Sequence, residues 1–460
     1  MDVGGDSDKE FVGYRGKALA FLAKSKASVG DILEAKTEWG TVIGTLVPRY
    51  EHADDRHVVL KLKSGYNVGI AVSKLRSATV KKSGERPAFS SSTPPSSSGK
   101  LPRVLVIGTG GTIASRVDYR TGAVRPAITA GELHSLIPEL SEIADIEPEI
   151  LLNIFSENID PVHWSKLAAR IGKAVEEGYQ GVVITHGTDT LGYTSAALSF
   201  ALQGVPIPVV LVGAQRSSDR PSSDGTQNLI GGVSVAALAP FSGVYVAMHL
   251  GEGDNEGVAV HRGARVRKNH TSRRDAFVSV GVPLAAVWRP TGLEDIASDL
   301  PGRGGVEPSG GAQGGRRGGH SRFRPFPRFD NRVALVKFYP SMPATLIASL
   351  SKMGMRGLIF EGTGLGHVGS KDLNAVKAFV KGGGLACMTS QCINGRVNLN
   401  VYDTGRDLAT AGVIPLEDML AETACVKAMW ALGNSDTVEA AKEKMLENLA
   451  GETTPRRFPG

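Results

Sequence analysis

The chain has 460 residues, 41% of them apolar, and a formal net charge of +6. One hydrophobic core does not organise a chain this long, so about two or three domains are expected. No run approaches the length of a membrane span, and Met1–Glu10 is acidic and glycine-rich, unlike a secretory leader, so a cytoplasmic protein with no membrane partner is expected. The three cysteines, Cys387, Cys392 and Cys425, match no zinc spacing and are expected to be buried small hydrophobes in a reducing compartment. The ten histidines offer no helical ligand pair, so no metal is expected. The positive charge is concentrated: residues 301–328 carry six arginines and one glutamate, leaving the rest near neutral.

In chain order, a short helix is expected over Lys17–Lys26. Short alternating strands follow at 30–35, 39–48, 57–62 and 66–70, with the turn residues Ser64-Gly65 between the last two. This spacing predicts a small SH3-like β-barrel domain over residues 11–82. Ser83–Gly99 holds seven serines and three prolines in 17 residues and reads as a flexible linker. Beyond residue 100, apolar strand candidates at 103–107, 181–185, 208–213, 243–249, 333–338, 357–361 and 384–388 alternate with amphipathic stretches at Trp164–Glu177, Thr345–Lys352 and Lys371–Val380. Strand–helix alternation predicts an α/β fold, a doubly wound and mostly parallel sheet. A large α/β domain is expected over 100–290 and a smaller one over 331–440. Between them, 301–328 has nine glycines and four prolines and reads as a flexible insertion with a weak, salt-sensitive attraction for polyanions. Proteolysis is expected to cut this insertion and Ser83–Gly99 first.

Two strand ends carry the chemistry. Val104-Leu105-Val106-Ile107 runs into Gly108-Thr109-Gly110-Gly111-Thr112, which lacks the third glycine of a dinucleotide turn and the Gly-Lys-Ser/Thr of a phosphate loop. What remains is a threonine hydroxyl, Thr112, at the carboxyl edge of a sheet, where a nucleophile can sit. Gly181-Val182-Val183-Ile184-Thr185 ends in His186-Gly187-Thr188-Asp189-Thr190, with a hydroxyl and a carboxylate side by side. A third segment, Arg265-Val266-Arg267-Lys268, reads on its own as a solvated basic run.

Thr-Gly-Gly-Thr followed by Thr-His-Gly-Thr-Asp-Thr, with the lysine segment behind, resembles the bacterial-type asparaginase/glutaminase family. The resemblance implies an asparaginase-like fold and amide hydrolysis. It implies Thr112 as nucleophile, Tyr119 beside it on a mobile loop, and Thr188, Asp189 and Lys268 as the proton-handling group. Lys268 matches the family's lysine through its spacing to Phe277. Ser156, Glu157 and Gly111 match the segments that hold the substrate's α-carboxylate and α-amino groups. Gln215 and Arg216, with Asp224-Gly225 behind them, match a structural or pocket-wall block, and Glu361–His367 reads as a tight turn lining the site or an interface. The N-terminal barrel with Trp39-Gly40-Thr41, the Ser156-Glu157-Asn158 segment, and the blocks Thr389–Cys392, Arg396–Asn398 and Pro415–Asp418 resemble the branch formed by the D subunits of archaeal glutamyl-tRNA(Gln) amidotransferases. That branch implies a glutaminase with no cofactor in this chain. Its partner would be the amidotransferase's E subunit, which uses ATP and Mg. It further implies access to tRNA(Gln) through the complex and a homodimer through the asparaginase-like domains. A stand-alone cytoplasmic asparaginase with an accessory barrel, and a noncatalytic RNA-binding scaffold, are the alternatives.

Overall fold

The computed structural model describes residues 13–47, 49, 54–62, 67–82, 101–110, 115–118, 123–126, 137, 139–216, 223–253, 256–305, 323–343 and 345–455. Ser83–Gly99, Gly111, Thr112 and Tyr119 lie outside the described residues. The chain divides into two compact units.

The first unit comprises residues 1–96, 112–138 and 214–226. The helix Gly16–Lys24 precedes β1 (Ile32–Thr37), β2 (Gly40–Leu46), β3 (His57–Lys61), β4 (Asn67–Ala71) and β5 (Leu75–Lys82). They form one antiparallel sheet in the order β4-β3-β2-β1-β5. β4 and β5 occupy opposite edges, yet only the 3-10 turn Val72–Lys74 joins them. Three residues reach about 10 Å, whereas a flat sheet of this width spans about 19 Å. The sheet must therefore curl until its edges approach, so a small, curved antiparallel sheet stands where the sequence predicts a barrel. Register shifts on β1 at Ile32/Leu33 and Lys36/Thr37 permit the bend. Ala18 and Leu22 of the helix pack with Leu33, Leu46, Val58, Leu60 and Ile70. The Tyr14 hydroxyl donates to Val47 O (2.8 Å) and accepts from Val59 N (3.0 Å), and burial pushes its pKa up to about 12. β5 escaped the sequence reading because it is an edge strand with no fully buried residue, so its alternation is weak. The unit also holds the hairpin of β7 (Ser115–Asp118) and β8 (Ala123–Pro126). Within 214–226, Gln215 N and Arg216 N donate to the Asp224 carboxylate at 3.1 and 2.9 Å, so this block is held by a buried aspartate.

The second unit comprises residues 97–111, 139–213 and 227–460. β6 (Arg103–Gly108), β9 (Asp145–Ile150), β10 (Gly181–Thr185), β11 (Pro208–Val212), β12 (Gly243–His249), β13 (Val258–Arg262), β16 (Ala286–Arg289) and β17 (Gly292–Glu294) build an eight-stranded sheet. Its order is β17-β16-β13-β12-β11-β10-β6-β9, parallel from β9 to β12 and antiparallel beyond. β14 (Val266–Lys268) and β15 (Phe277–Ser279) form a separate hairpin. On one face of the sheet, the helices Pro161–Glu176 and Leu191–Ala201 pack Leu167, Ile171 and Leu198 against Leu105, Val182, Leu211 and Val246. On the other face lies the helix Gly225–Leu238: a Cβ at Gly232 would lie 2.4 Å from Val212 Cγ1 and one at Gly181 2.1 Å from Ala236 O. Helices thus cover both faces, as a doubly wound sheet requires.

β18 (Val333–Lys337), β19 (Gly357–Gly362), β20 (Leu385–Ser390) and β21 (Ile414–Pro415) form a smaller parallel sheet. The helix Ala421–Gly433 joins the two layers: Ala424, Ala428 and Trp430 share a core with Ala196 and Phe200. The helix Val438–Leu446 and the segment to residue 455 continue beyond residue 440, the end expected for the small domain.

Two expectations need correction. The 301–328 segment is anchored at both ends: Arg303 donates to Ala237 O at 2.8 Å, Phe326 N donates to Ala201 O at 2.7 Å, and Trp430 Nε1 donates to Phe326 O at 3.1 Å. Composition alone could not show that its few aromatic and proline side chains find partners. Residues 306–322 lie outside the described residues. Cys387 and Cys425 are buried, which pushes both thiols up to about 12, but Cys392 is exposed in the turn after β20. No helix among the described residues is long and apolar enough to cross a membrane.

Candidate active site

The parallel register sets the location. Thr185 pairs with Gly108 on one side and Val212 on the other, so β6, β10 and β11 end at one edge. After β6 the chain moves outward to β9, then returns past β6 to β10. Strand order therefore reverses between β6 and β10, and an open α/β sheet forms its ligand crevice at such a point.

The β6 end is tied to its neighbours through backbone groups. Thr109 N and Thr109 Oγ1 both donate to Thr185 O, at 3.1 and 2.9 Å. Gly110 has φ +119°, and a Cβ there would lie 2.2 Å from Ile154 O, so only glycine fits. The segment after β9 folds back to the same place. Ser156 is buried in a 3-10 turn, and Thr190 Oγ1 donates to Ser156 O at 2.6 Å. A Cβ on Gly187 would lie 2.8 Å from Ser156 Oγ. Ser156 therefore stands against the Gly187–Thr190 loop, while Glu157 is exposed beside it. On the far side, a Cβ on Gly213 would meet Thr188 Cγ2 at 2.7 Å.

Lys268 closes the group. Its Nζ donates to Thr188 Oγ1 at 2.9 Å and to Asp189 Oδ1 at 2.8 Å. Lys268 is 15% exposed and Asp189 71%. The lysine sits opposite Phe277 in the β14–β15 ladder. The structure thus brings Thr188, Asp189 and Lys268 into direct contact and sets Ser156 against their loop. Thr112, Gly111 and Tyr119 lie outside the described residues.

Sequence reasoning missed the scaffold of this loop. His186 is fully buried, with Nδ1 2.6 Å from Gly187 O and Nε2 2.8 Å from Thr194 Oγ1. Trp164 Nε1 donates to Thr194 Oγ1 at 3.1 Å. The threonine hydroxyl is then free to donate to Nε2, which leaves the proton on Nδ1, donating to Gly187 O. A neutral imidazole therefore braces the loop carrying Thr188 and Asp189. The signal was present, since His186 stands inside the second motif, but its partners come from helices distant in sequence. Arg265 and Arg267 are also not a solvated run. Arg265 is fully buried and Arg267 pairs with Glu422 at 3.3 Å. In the small sheet, Thr363 N donates to His367 O at 3.0 Å, and Gly364 and Gly366 take positive φ, so Glu361–His367 is a tight turn. Among the described residues no cluster of metal-ligating side chains occurs.

Burial pushes the pKa of His186 and of His261 down to about 4. A folded-state value below the unfolded one near 6.5 means that the unfolded chain binds more protons between the two. Stability conferred by the neutral rings is full above about pH 6.5 and is lost as pH falls towards about 4, by about 3 kcal/mol per group. Denaturant titration from pH 7.5 to 4.5 is expected to show this fall. A His186→Asn variant is expected to reduce this fall to the part that His261 contributes.

The sequence and the fold both match a known family. Residues 103–294 match the model "Asparaginase, N-terminal", residues 332–445 the "Glutaminase/Asparaginase C-terminal domain", and residues 27–80 the "GatD N-terminal domain". The chain is 48% identical to the D subunit of glutamyl-tRNA(Gln) amidotransferase from Metallosphaera sedula, over 96% of this chain and 97% of that one. To the same-named protein of Pyrococcus furiosus it is 46% identical, over 95% and 98%. A solved L-asparaginase from Thermococcus kodakarensis superposes with a TM-score of 0.64 at 32% identity, covering 77% of this chain and 100% of that structure. L-asparaginase I from Vibrio cholerae gives 0.63 at 26% identity, with the same coverages. A lysine held on the second strand-end motif, an asparaginase-type fold and a matching N-terminal domain thus agree with 46–48% identity over nearly the whole chain, and the chain belongs to the family of glutamyl-tRNA(Gln) amidotransferase D subunits, which is of asparaginase type.

Proposed function

We propose that this chain is the glutaminase component of a tRNA-dependent amidotransferase. It hydrolyses glutamine to glutamate and ammonia and passes the ammonia to the E subunit as partner. That partner, using ATP and Mg, converts Glu-tRNA(Gln) to Gln-tRNA(Gln), and this chain itself holds no cofactor. The observation that carries the reading is the contact of Lys268 with both Thr188 and Asp189, in a chain that resembles D subunits over nearly its whole length.

In this reading the Thr112 hydroxyl attacks the side-chain amide carbon. The C–N bond breaks as the acyl–oxygen bond forms, and the proton lost by Thr112 leaves with the nitrogen as ammonia. Water then hydrolyses the acyl-enzyme and restores the hydroxyl. Thr188 and Lys268 supply the hydrogen-bonded path for that proton. Asp189 holds the lysine ammonium on one side and, being largely exposed, offers its second oxygen to a substrate α-ammonium. Ser156, Glu157 and Gly111 contact the substrate's amino-acid end, and Tyr119 closes over the nucleophile. We further propose that the protein is cytoplasmic, forms a homodimer through its asparaginase-like layers and reaches tRNA(Gln) through the complex.

The stand-alone asparaginase is the competing reading. The solved asparaginase that is fully covered still leaves about a quarter of this chain unmatched, and a GatD N-terminal domain match lies at residues 27–80. The test is ammonia release from glutamine and asparagine, with and without the E subunit, Glu-tRNA(Gln) and ATP. Activity on glutamine is expected to rise about tenfold when all three are present, a coupling of ordinary size. Full asparaginase activity in isolation, with no stable complex and no response to charged tRNA, would establish the competing reading.

A further inference from the structure

Arg265 is the largest fully buried side chain among the described residues, and the chemistry above does not use it. It lies three residues before Lys268, at the base of the β14–β15 hairpin. Its Nε donates to Val280 O at 2.9 Å, while Val280 N donates back to Arg265 O at 2.9 Å. Nη1 donates to Asp418 O (2.9 Å) and to Glu452 O (2.8 Å), and Nη2 to Asp418 Oδ2 (3.1 Å). Four acceptors from three separate segments thus converge on one planar guanidinium. A Cβ on Gly281, whose φ is +72°, would lie 2.2 Å from Nη2, so the hairpin end is shaped around the arginine.

The acceptors are themselves held. Thr454 N and Thr454 Oγ1 donate to the two oxygens of Asp418, at 3.0 and 2.7 Å. Arg396 donates to Thr454 O at 2.7 Å and to Pro455 O at 3.0 Å. Beside Arg265, Thr423 Oγ1 donates to Ala264 O at 3.0 Å and Arg267 pairs with Glu422 at 3.3 Å. The segment 447–455 and the turn at Asp418 therefore grip the hairpin at its base.

Burying a charged fork where an apolar side chain would fill the volume is costly, and apolar replacements of buried ion pairs are often no less stable. What the fork supplies and leucine cannot is direction: planar donors fix several acceptors in one orientation. We propose that Arg265, held by Asp418 and the 447–455 segment, is a positioning residue that sets the depth and register at which the hairpin presents Lys268 to Thr188 and Asp189. The inference rests on the reading of Lys268 as part of the glutaminase site.

The test uses the full-length chain with L-glutamine, comparing Thr454→Val, Asp418→Asn and Lys268→Ala with the parent. Steady-state rates are measured across pH together with thermal midpoints. Thr454→Val keeps Arg265 and its counter-charge in place, so it is expected to fold even if Arg265→Met, or Asp418→Asn, which leaves the buried guanidinium without its carboxylate, does not. In both Thr454→Val and Asp418→Asn, kcat is expected to fall about 10- to 100-fold with KM changed much less, because a displaced proton relay affects the chemical step. The pH–rate profile is expected to shift, because the surroundings of Lys268 have changed. A lowered midpoint with unchanged kcat and unchanged pH profile in both variants would overturn the positioning role while the Lys268 reading stands. Near-parental activity of Lys268→Ala would instead overturn the site assignment itself and the positioning role with it.

Discussion

Thr112→Ala is expected to lower ammonia release from glutamine by at least about a thousandfold, since removal of a covalent nucleophile leaves only binding and oxyanion stabilisation. Lys268→Ala is expected to cost about a hundredfold or more, within the usual range for loss of proton transfer. Thr188→Ala should be comparably severe, because it breaks the contact between Lys268 Nζ and the hydroxyl at 2.9 Å. Asp189→Asn keeps the shape but removes the charge that holds the lysine at 2.8 Å. These losses are not expected to add, because residues that act as a unit fail together. The measurement is steady-state ammonia release by variants whose thermal midpoints match the parent. More than about a tenth of the parent rate in Thr112→Ala would exclude it as the nucleophile.

The second large effect concerns stability. Lys427 and Glu452 are both fully buried and pair at 2.5 Å. Lys427 also donates to Met445 O at 3.1 Å, and the Glu452 carboxylate accepts from Leu449 N (3.1 Å) and Ala450 N (2.7 Å). Burial lowers the pKa of the Lys427 ammonium, and Glu452 opposes that shift. Glu452→Gln leaves a buried ammonium without its counter-charge and is expected to cost about 3–5 kcal/mol. Lys427→Met strands the carboxylate and should cost a similar amount. The double variant Lys427→Met/Glu452→Gln should cost less than the sum of the two, because neither charge remains. Guanidinium unfolding of the four proteins checks this. Additive losses would show that the two side chains do not act as a pair.

These networks mark where sequence reading stops. The sheet strands were legible because they are buried on both faces and form unbroken apolar runs: β10 is Gly-Val-Val-Ile-Thr with every residue buried. The chemistry was legible for a related reason. Thr188 and Asp189 are adjacent in sequence and sit where a parallel strand ends, so local order already implies local geometry. Lys268 could be named only through family resemblance, because nothing between residues 189 and 268 says that a hairpin returns to that loop.

What the tertiary structure alone decided is which polar groups meet across long separations. The curl of the N-terminal sheet follows from a three-residue turn between its opposite edges, and that pairing order is not written in any single strand. β9, Asp-Ile-Glu-Pro-Glu-Ile, is too polar to read as a strand, yet it is an edge and needs only one ladder of hydrogen bonds. His186 is neutral because Trp164 and Thr194 surround it, and Arg265 is buried because Asp418 and the backbone of Glu452 accept from it, 153 and 187 residues away. Apolar burial depends on each residue's own side chain and repeats with a period that sequence displays. Satisfaction of a buried donor depends on an acceptor elsewhere, and only the folded chain determines where that acceptor lies.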